Sequence, residues 1–142
     1  MPVRHCVNSA RQLIIYSALG HCTGLELLAA EEETRRDPKR QPGMRILLDL
    51  REVKDLDFSL DDLNRGVEMN NQLDASGWEL EKTAVVIRSA HDEIAAELYD
   101  ELTNPNLQLK MATFKTLESA LEWLGLAGQR DDVERLIQGL RV

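Results

Sequence analysis

The chain has 142 residues, 43% hydrophobic and 30% charged, with a formal net charge of −8. That length supplies one domain with a real core and is short for two. The charge argues against a phosphate backbone or an anionic bilayer as partner, and no apolar stretch approaches the roughly 20 residues of a membrane-spanning helix, so nucleic-acid binding and integral membrane association drop out.

Met1-Pro2-Val3-Arg4-His5 lacks the apolar run of a signal peptide, and Cys6 and Cys22 are too few for a disulfide framework. A reducing, cytoplasmic setting is expected. Val3 to Val7 and Gln12 to Leu19 are β-prone runs separated by Asn8-Ser9-Ala10-Arg11, which predicts an opening hairpin, with Gly20 closing the second strand. Thr23 stands three residues before Glu26, the spacing at which a hydroxyl and a carboxylate cap a helix start reciprocally. The helix should run from about Gly24 to Arg36. Its predicted apolar face is Leu25, Leu28 and Ala29, opposite Glu31 to Glu33, and Pro38 stops it. The basic group Arg35, Arg36, Lys39 and Arg40 falls at that helix end, where attraction to the C-terminal dipole accounts for it without a ligand.

Met44 to Val53 reads as a strand buried on both faces, because Ile46, Leu47 and Leu48 are consecutive rather than alternating. Asp49 interrupts the run near its carboxyl end, where open α/β sheets hold ligand-binding groups. The simpler expectation is a carboxylate accepting hydrogen bonds from the Asp55 to Ser59 loop. Lys54 to Phe58 reads as a polar connection, and Ser59 with Asp62 caps a helix bearing Leu60, Leu63 and Val67 that ends before Gly77. Thr83 to Arg88 is a second buried strand. Ser89 with Asp92 opens a helix with Ile94, Ala95, Leu98 and Leu102, which Asn104-Pro105-Asn106 breaks.

From Leu107 to Phe114 apolar and polar residues alternate, as in a half-exposed edge strand. Thr116 caps a helix bearing Leu117, Ala120, Leu121 and Leu124, and Gly125 ends it. Asp131 and Glu134 open a last helix, with Val133, Leu136, Ile137 and Leu140 at i, i+3, i+4 and i+7. No strand follows, so this stripe finds cover on its own domain or on a partner subunit. Repeated strand-helix-strand units predict an α/β fold of mostly parallel strands joined by right-handed crossovers, behind an antiparallel hairpin.

The stretches Gly20 to Glu26, Arg45 to Val53 (RILLDLREV), Thr83 to Ile87 (TAVVI) and Phe114 to Leu124 (F-x-x-x-E-x-A-x-x-W-L) resemble the SpoIIAA-like proteins of the STAS/Sec14 group. Phe114, Glu118, Ala120, Trp123 and Leu124 carry most of that likeness, which spans about residues 10 to 125. The resemblance implies a SpoIIAA-like (STAS-type) domain over residues 1–126, with helices packed on the sheet, and a C-terminal amphipathic extension over 127–142. It implies no catalytic residues. Related anti-sigma-factor antagonists carry a regulatory serine in a D-S-x-G loop. The matching segment here, Asp55-Leu56-Asp57-Phe58-Ser59-Leu60-Asp61, lacks the glycine, and Asp61 and Asp62 oppose a phosphate, so Ser59 reads as a plain N-cap.

Other chemistry is sparse. His5-Cys6 and His21-Cys22 form the best metal-ligand pattern, but the hairpin separates them by about 25 Å at strand rise. His91 and Asp92 are adjacent at a helix start and do not face each other. No glycine-rich phosphate loop is present, and no cofactor is expected. Asp49, Asp57 and Ser59 are the candidate regulatory or ligand loop; Trp78, Trp123, Leu136, Ile137 and Leu140 are the candidate apolar pocket or interface. The expected function is a non-enzymatic regulatory or protein-interaction module of a bacterial cytoplasm, with a homodimer or protein partner. The alternative is binding or sensing of a small apolar, lipid-like ligand in a Sec14-like pocket.

Overall fold

A computed structural model describes residues 3–57, 61, 65, 68, 82–88 and 111–141. Among the described residues, the strands are β1 (Val3–Asn8), β2 (Leu13–Thr23), β3 (Arg45–Asp57), β4 (Thr83–Val86) and β5 (Met111–Phe114), and the helices with described bounds are α1 (Gly24–Arg35), α2 (Leu117–Trp123) and α3 (Arg130–Arg141). The strands form one sheet in the order β1-β2-β3-β4-β5. β1 runs antiparallel to β2, and every later pair is parallel. The expected α/β class, the opening hairpin and the edge placement of the strand ending at Phe114 all hold.

The hairpin turns through Ser9–Gln12, where Asn8 Oδ1 accepts from the Arg11 N–H at 3.0 Å. Gln12 takes a left-handed φ of 51°. Its backbone N–H and its side-chain amide both donate to Ser9 O, at 3.2 and 2.9 Å, which offsets the strain of a side chain there.

β2 does not end at Gly20. The glycine adopts φ 62°, a conformation cheap for a residue without Cβ, and the strand continues to Thr23. Register breaks between Ser17 and Leu19 and between Gly20 and His21, each time with one more residue on β3. These bulges let β3 run alongside as far as Asp57, through the stretch read as a polar connection. Alternation explains it: Leu56 is buried, while Asp55 and Asp57 face out.

α1 starts as its capping box dictates, with Thr23 Oγ1 accepting from the Glu26 N–H and Glu26 Oε1 accepting from the Thr23 N–H, both at 3.2 Å. Its buried face differs from the expected one. Ala30 and Thr34 are buried, Ala29 is exposed, and Leu25 is 50% exposed. A polar network decides the rotation. The Tyr16 hydroxyl on β2 lies 2.5 Å from Glu31 Oε2 and 2.6 Å from Thr34 Oγ1. Arg40 donates to Thr34 Oγ1 at 2.8 Å and to Glu31 Oε1 at 3.1 Å. Glu31 therefore turns towards the sheet, and Arg40 neutralises it there.

Two cores lie on the two faces of the sheet. Ile14, Tyr16, Leu50 and Val85 pack with Ala30 beneath α1. Leu13, Ile15, Leu47 and Val86 pack with Leu121 of α2 and with Val133 and Ile137 of α3. Consecutive residues of β2 alternate between the cores, which is why its apolar run is unbroken. α2 ends at Gly125, whose φ of 80° lets its N–H reach Glu122 O at 3.0 Å and lets the Leu126 N–H reach Leu121 O at 2.8 Å. α3 then folds back onto its own sheet. Val133 and Ile137 are 0% exposed, each worth about 1.5–3 kcal/mol of transfer free energy.

Burial first, and the Glu31 carboxylate second, hold the Tyr16 phenol well above its ordinary value of 10.0. The unfolded chain therefore loses this proton first, binds fewer protons than the folded chain above that pH, and stability falls as pH rises. The contribution is complete below pH 10.0 and is lost as pH climbs towards the folded value. Tyr16→Phe should lower stability at pH 7 by about 1–3 kcal/mol, because Glu31 and Thr34 each lose a partner. It should also make the alkaline decline shallower. Urea unfolding of both proteins at steps from pH 7 to 11 checks the two effects.

Candidate functional site

Asp49 is fully buried in β3, and a lone ionised carboxylate there would be prohibitive, so its partners define the site. The first is its own neighbour two residues on. Residues i and i+2 of a strand share a face, and the register break after Asp49 brings the Arg51 backbone N–H to Asp49 Oδ1 at 3.1 Å. The Arg51 guanidinium donates from Nε to Oδ1 at 2.9 Å and from Nη2 to Oδ2 at 3.3 Å. The second partner comes from α3: Arg141 Nη2 donates to Asp49 Oδ2 at 2.7 Å.

Arg51 also reaches outward. Its Nη2 lies 3.2 and 3.0 Å from the two carboxylate oxygens of Glu134, which accepts a further hydrogen bond from Gln138 Nε2 at 2.9 Å. Glu134 and Arg141 are seven residues apart, two turns of α3, and so project on the same side. The helix sets an acid over Arg51 and a base over Asp49. Arg141 also suits the negative end of the helix dipole. Burial works against charge on Arg51, but hydrogen bonds to Asp49 and then Glu134, with their negative charge, outweigh it and raise its pKa. Ser17, opposite Asp49 on β2 and 2% exposed, has a hydroxyl that makes no hydrogen bond.

The Asp49 carboxylate itself is closed, while the buried Ser17 hydroxyl and Arg141 Nε beside it make no hydrogen bond. Four N–H donors saturate Asp49, which is left neither a free lone pair aimed at a ligand nor access to water. The donors are Arg51 and Arg141 instead of the expected Asp55 to Ser59 loop, because β3 carries that loop's first half away as strand.

Of the other candidates, Asp57 is exposed at the end of β3, opposite the Thr23 cap of α1. It does not meet Asp49. Ser59 and Trp78 lie outside the described residues. Trp123 packs at half burial against the α2–α3 core, with its ring centroid 5.6 Å from that of Phe114 and Lys82 Nζ 4.8 Å above it. Leu136 and Leu140 are half-buried on the same core, and Ile137 is inside it. Trp123 and the α3 residues thus share one apolar layer, on the face that also carries Asp49.

Cys6 is half-buried on β1 and Cys22 is buried on β2. His21 Nδ1 sits 2.8 Å from Asp55 Oδ2, and no group of three metal-ligating side chains converges among the described residues. Sequence reading missed Arg51, Glu134 and Arg141. The one signal was the seven-residue interval from Glu134 to Arg141 beside an apolar stripe. It marks a shared face without naming what that face meets.

Loss of a partner should rank by burial. Arg51→Ala should cost about 3–5 kcal/mol, since it strips Asp49 of two side-chain donors in the interior. Glu134→Ala should cost about 1 kcal/mol, because that carboxylate is 27% exposed and partly screened. Denaturant unfolding of the two variants checks the order.

No family model and no curated protein matches the chain. Among solved structures it is similar to that of an uncharacterised DUF3478-family protein from Shewanella loihica PV-4 described as having a SpoIIAA-like fold, with a TM-score of 0.53 and 18% identity over 86% of this chain and 91% of that one. At that identity the likeness speaks of fold alone. With its sheet order and antiparallel first pair, this chain has a SpoIIAA-like α/β fold.

Proposed function

We propose that the chain is a non-enzymatic regulatory or protein-interaction module of STAS type, working in a bacterial cytoplasm. The observation that carries this reading is the state of Asp49. In an open α/β sheet the carboxyl ends of the strands are the usual place for ligand chemistry. Here the acidic group at that place is consumed by Arg51 and Arg141 and covered by α3. A carboxylate so held contributes to shape and stability and has no lone pair left for proton transfer or ligation. The SpoIIAA-like fold supports the same reading, and Cys6 and Cys22, which form no disulfide, suit a reducing compartment.

Native mass spectrometry after gentle isolation, together with a metabolite turnover panel, tests the proposal. The expected outcome is polypeptide mass without a bound small molecule, and no turnover. Turnover that Asp49→Asn abolishes would make the protein an enzyme. A stoichiometric apolar adduct would favour the alternative, a carrier or sensor of a lipid-like ligand.

A further inference from the structure

A bulge in the sheet and the end of α3 enclose two polar groups beside the ion cluster. Arg4 pairs with Ser17 across β1 and β2, and Ser17 pairs with Asp49 across β2 and β3, so the three residues stand in a row on neighbouring strands. Alternation along β2 puts Ser17 on the face of Leu13 and Ile15, which is the face beneath α3. The last turn of α3 closes over the row. Arg4 Nη1 donates to Leu140 O at 3.1 Å, and Arg141 Nη2 donates to Asp49 Oδ2 at 2.7 Å. Ser17 is 2% exposed, and neither its Oγ nor the enclosed Arg141 Nε has a hydrogen-bond partner among the described residues.

These two groups belong to one place. Neighbouring strands lie about 4.8 Å apart, which sets the Ser17 side chain beside that of Asp49. Nε and Nη2 form one edge of the Arg141 guanidinium, so the bond from Nη2 keeps Nε at the same carboxylate. Asp49 serves neither of them, because its oxygens already accept from Arg51 and from Arg141 Nη2. A buried donor without a partner costs as much as a lost hydrogen bond, and folded chains supply one from protein or from ordered water.

We propose that Ser17 Oγ and Arg141 Nε hold one internal water molecule, which ties the carboxyl end of α3 to β2. The demands of the place select this ligand. Arginine Nε only donates, so the ligand must accept; the last carbonyls of a helix lack intrahelical donors, so it must also donate. Water does both at the size of one heavy atom. An anion only accepts, and it would face the negative end of α3 with Asp49, Glu52 and Glu134 close by. The nearby cations are already engaged: Arg51 and Arg141 by Asp49 and Glu134, and Arg4 by Leu140 O. The bulge disrupts the ladder at the same level, where the Arg51 N–H turns to Asp49 Oδ1.

Magnetic relaxation dispersion of the water signal counts molecules held inside a protein for longer than it tumbles. The full chain should show one more such water than Ser17→Ala. In urea unfolding, Ser17→Ala should lower the folding equilibrium constant about fivefold, as for one lost hydrogen bond. A hydroxyl with no partner gives the opposite sign, because its removal relieves the folded state. Arg141→Lys keeps the charge and lacks Nε. Combined with Ser17→Ala, it should cost less than the sum of the two by about the same factor, since one water serves both groups, and the cycle cancels what Arg141→Lys does to Asp49 directly. An equal water count, a Ser17→Ala variant at least as stable as the wild type, or strictly additive losses overturns the proposal. Inorganic phosphate that stabilises the wild type and not Ser17→Ala assigns the place to an anion and overturns it as well.

Discussion

A carboxylate in the middle of the central strand constrains this structure more than any other single group. Asp49 is shut away from water, and a buried ionised acid is tolerable only with good hydrogen-bonding geometry and opposite charge close by. Arg51 supplies one half of that from the same strand, and Arg141 supplies the other from the end of the chain. The central strand and α3 are joined by this requirement. α3 lies over β1 and β2, in an orientation that lets Glu134 and Arg141 meet Arg51 and Asp49 of the adjoining β3 with matching signs.

The apolar and ionic parts of α3 docking do different work. Burial of Val133 and Ile137 supplies the larger favourable free energy, since it is proportional to area and needs no exact register. The ion cluster adds little net stability over an apolar substitute of the same shape, but a misplaced helix would leave Asp49 with an unpaired charge. It acts as a selector of one packing among several that the apolar stripe would allow. The Tyr16–Glu31–Thr34–Arg40 network does the same for α1 on the opposite face. There the selected rotation runs against the helix's own apolar pattern and leaves Leu25 half in water.

Cores on both faces and a mostly parallel sheet also explain why the strands are so unequal. β4 and β5 span four residues each, while β2 has 11 and β3 has 13. The two long strands continue past their short neighbours as a pair, held in step by bulges at Ser17–Leu19 and Gly20–His21. Asp49 is the last β3 residue with a partner on both sides, Ser17 and Val86. The ion cluster thus sits where the sheet narrows.

Among the described residues, the sequence by itself determined the succession of strands and helices and the caps at Thr23 and Thr116. Consecutive apolar residues at Ile46 to Leu48 announced a strand covered on both sides, and Thr23 with Glu26 and Gly125 marked helix ends, because these signals are local: steric, conformational or one turn long. It also determined the α/β class and the apolar face of α3. Only the tertiary structure decided where β2 and β3 stop, which face α1 buries, and what Asp49 pairs with. A strand end depends on the neighbour's unpaired backbone, a helix rotation on the polar groups of the surface beneath it, and the buried Asp49, besides its neighbour Arg51, on an arginine 92 residues away. Long-range pairing of that kind leaves no periodicity to read, since the free energy that selects it exists only once the partners have been brought together.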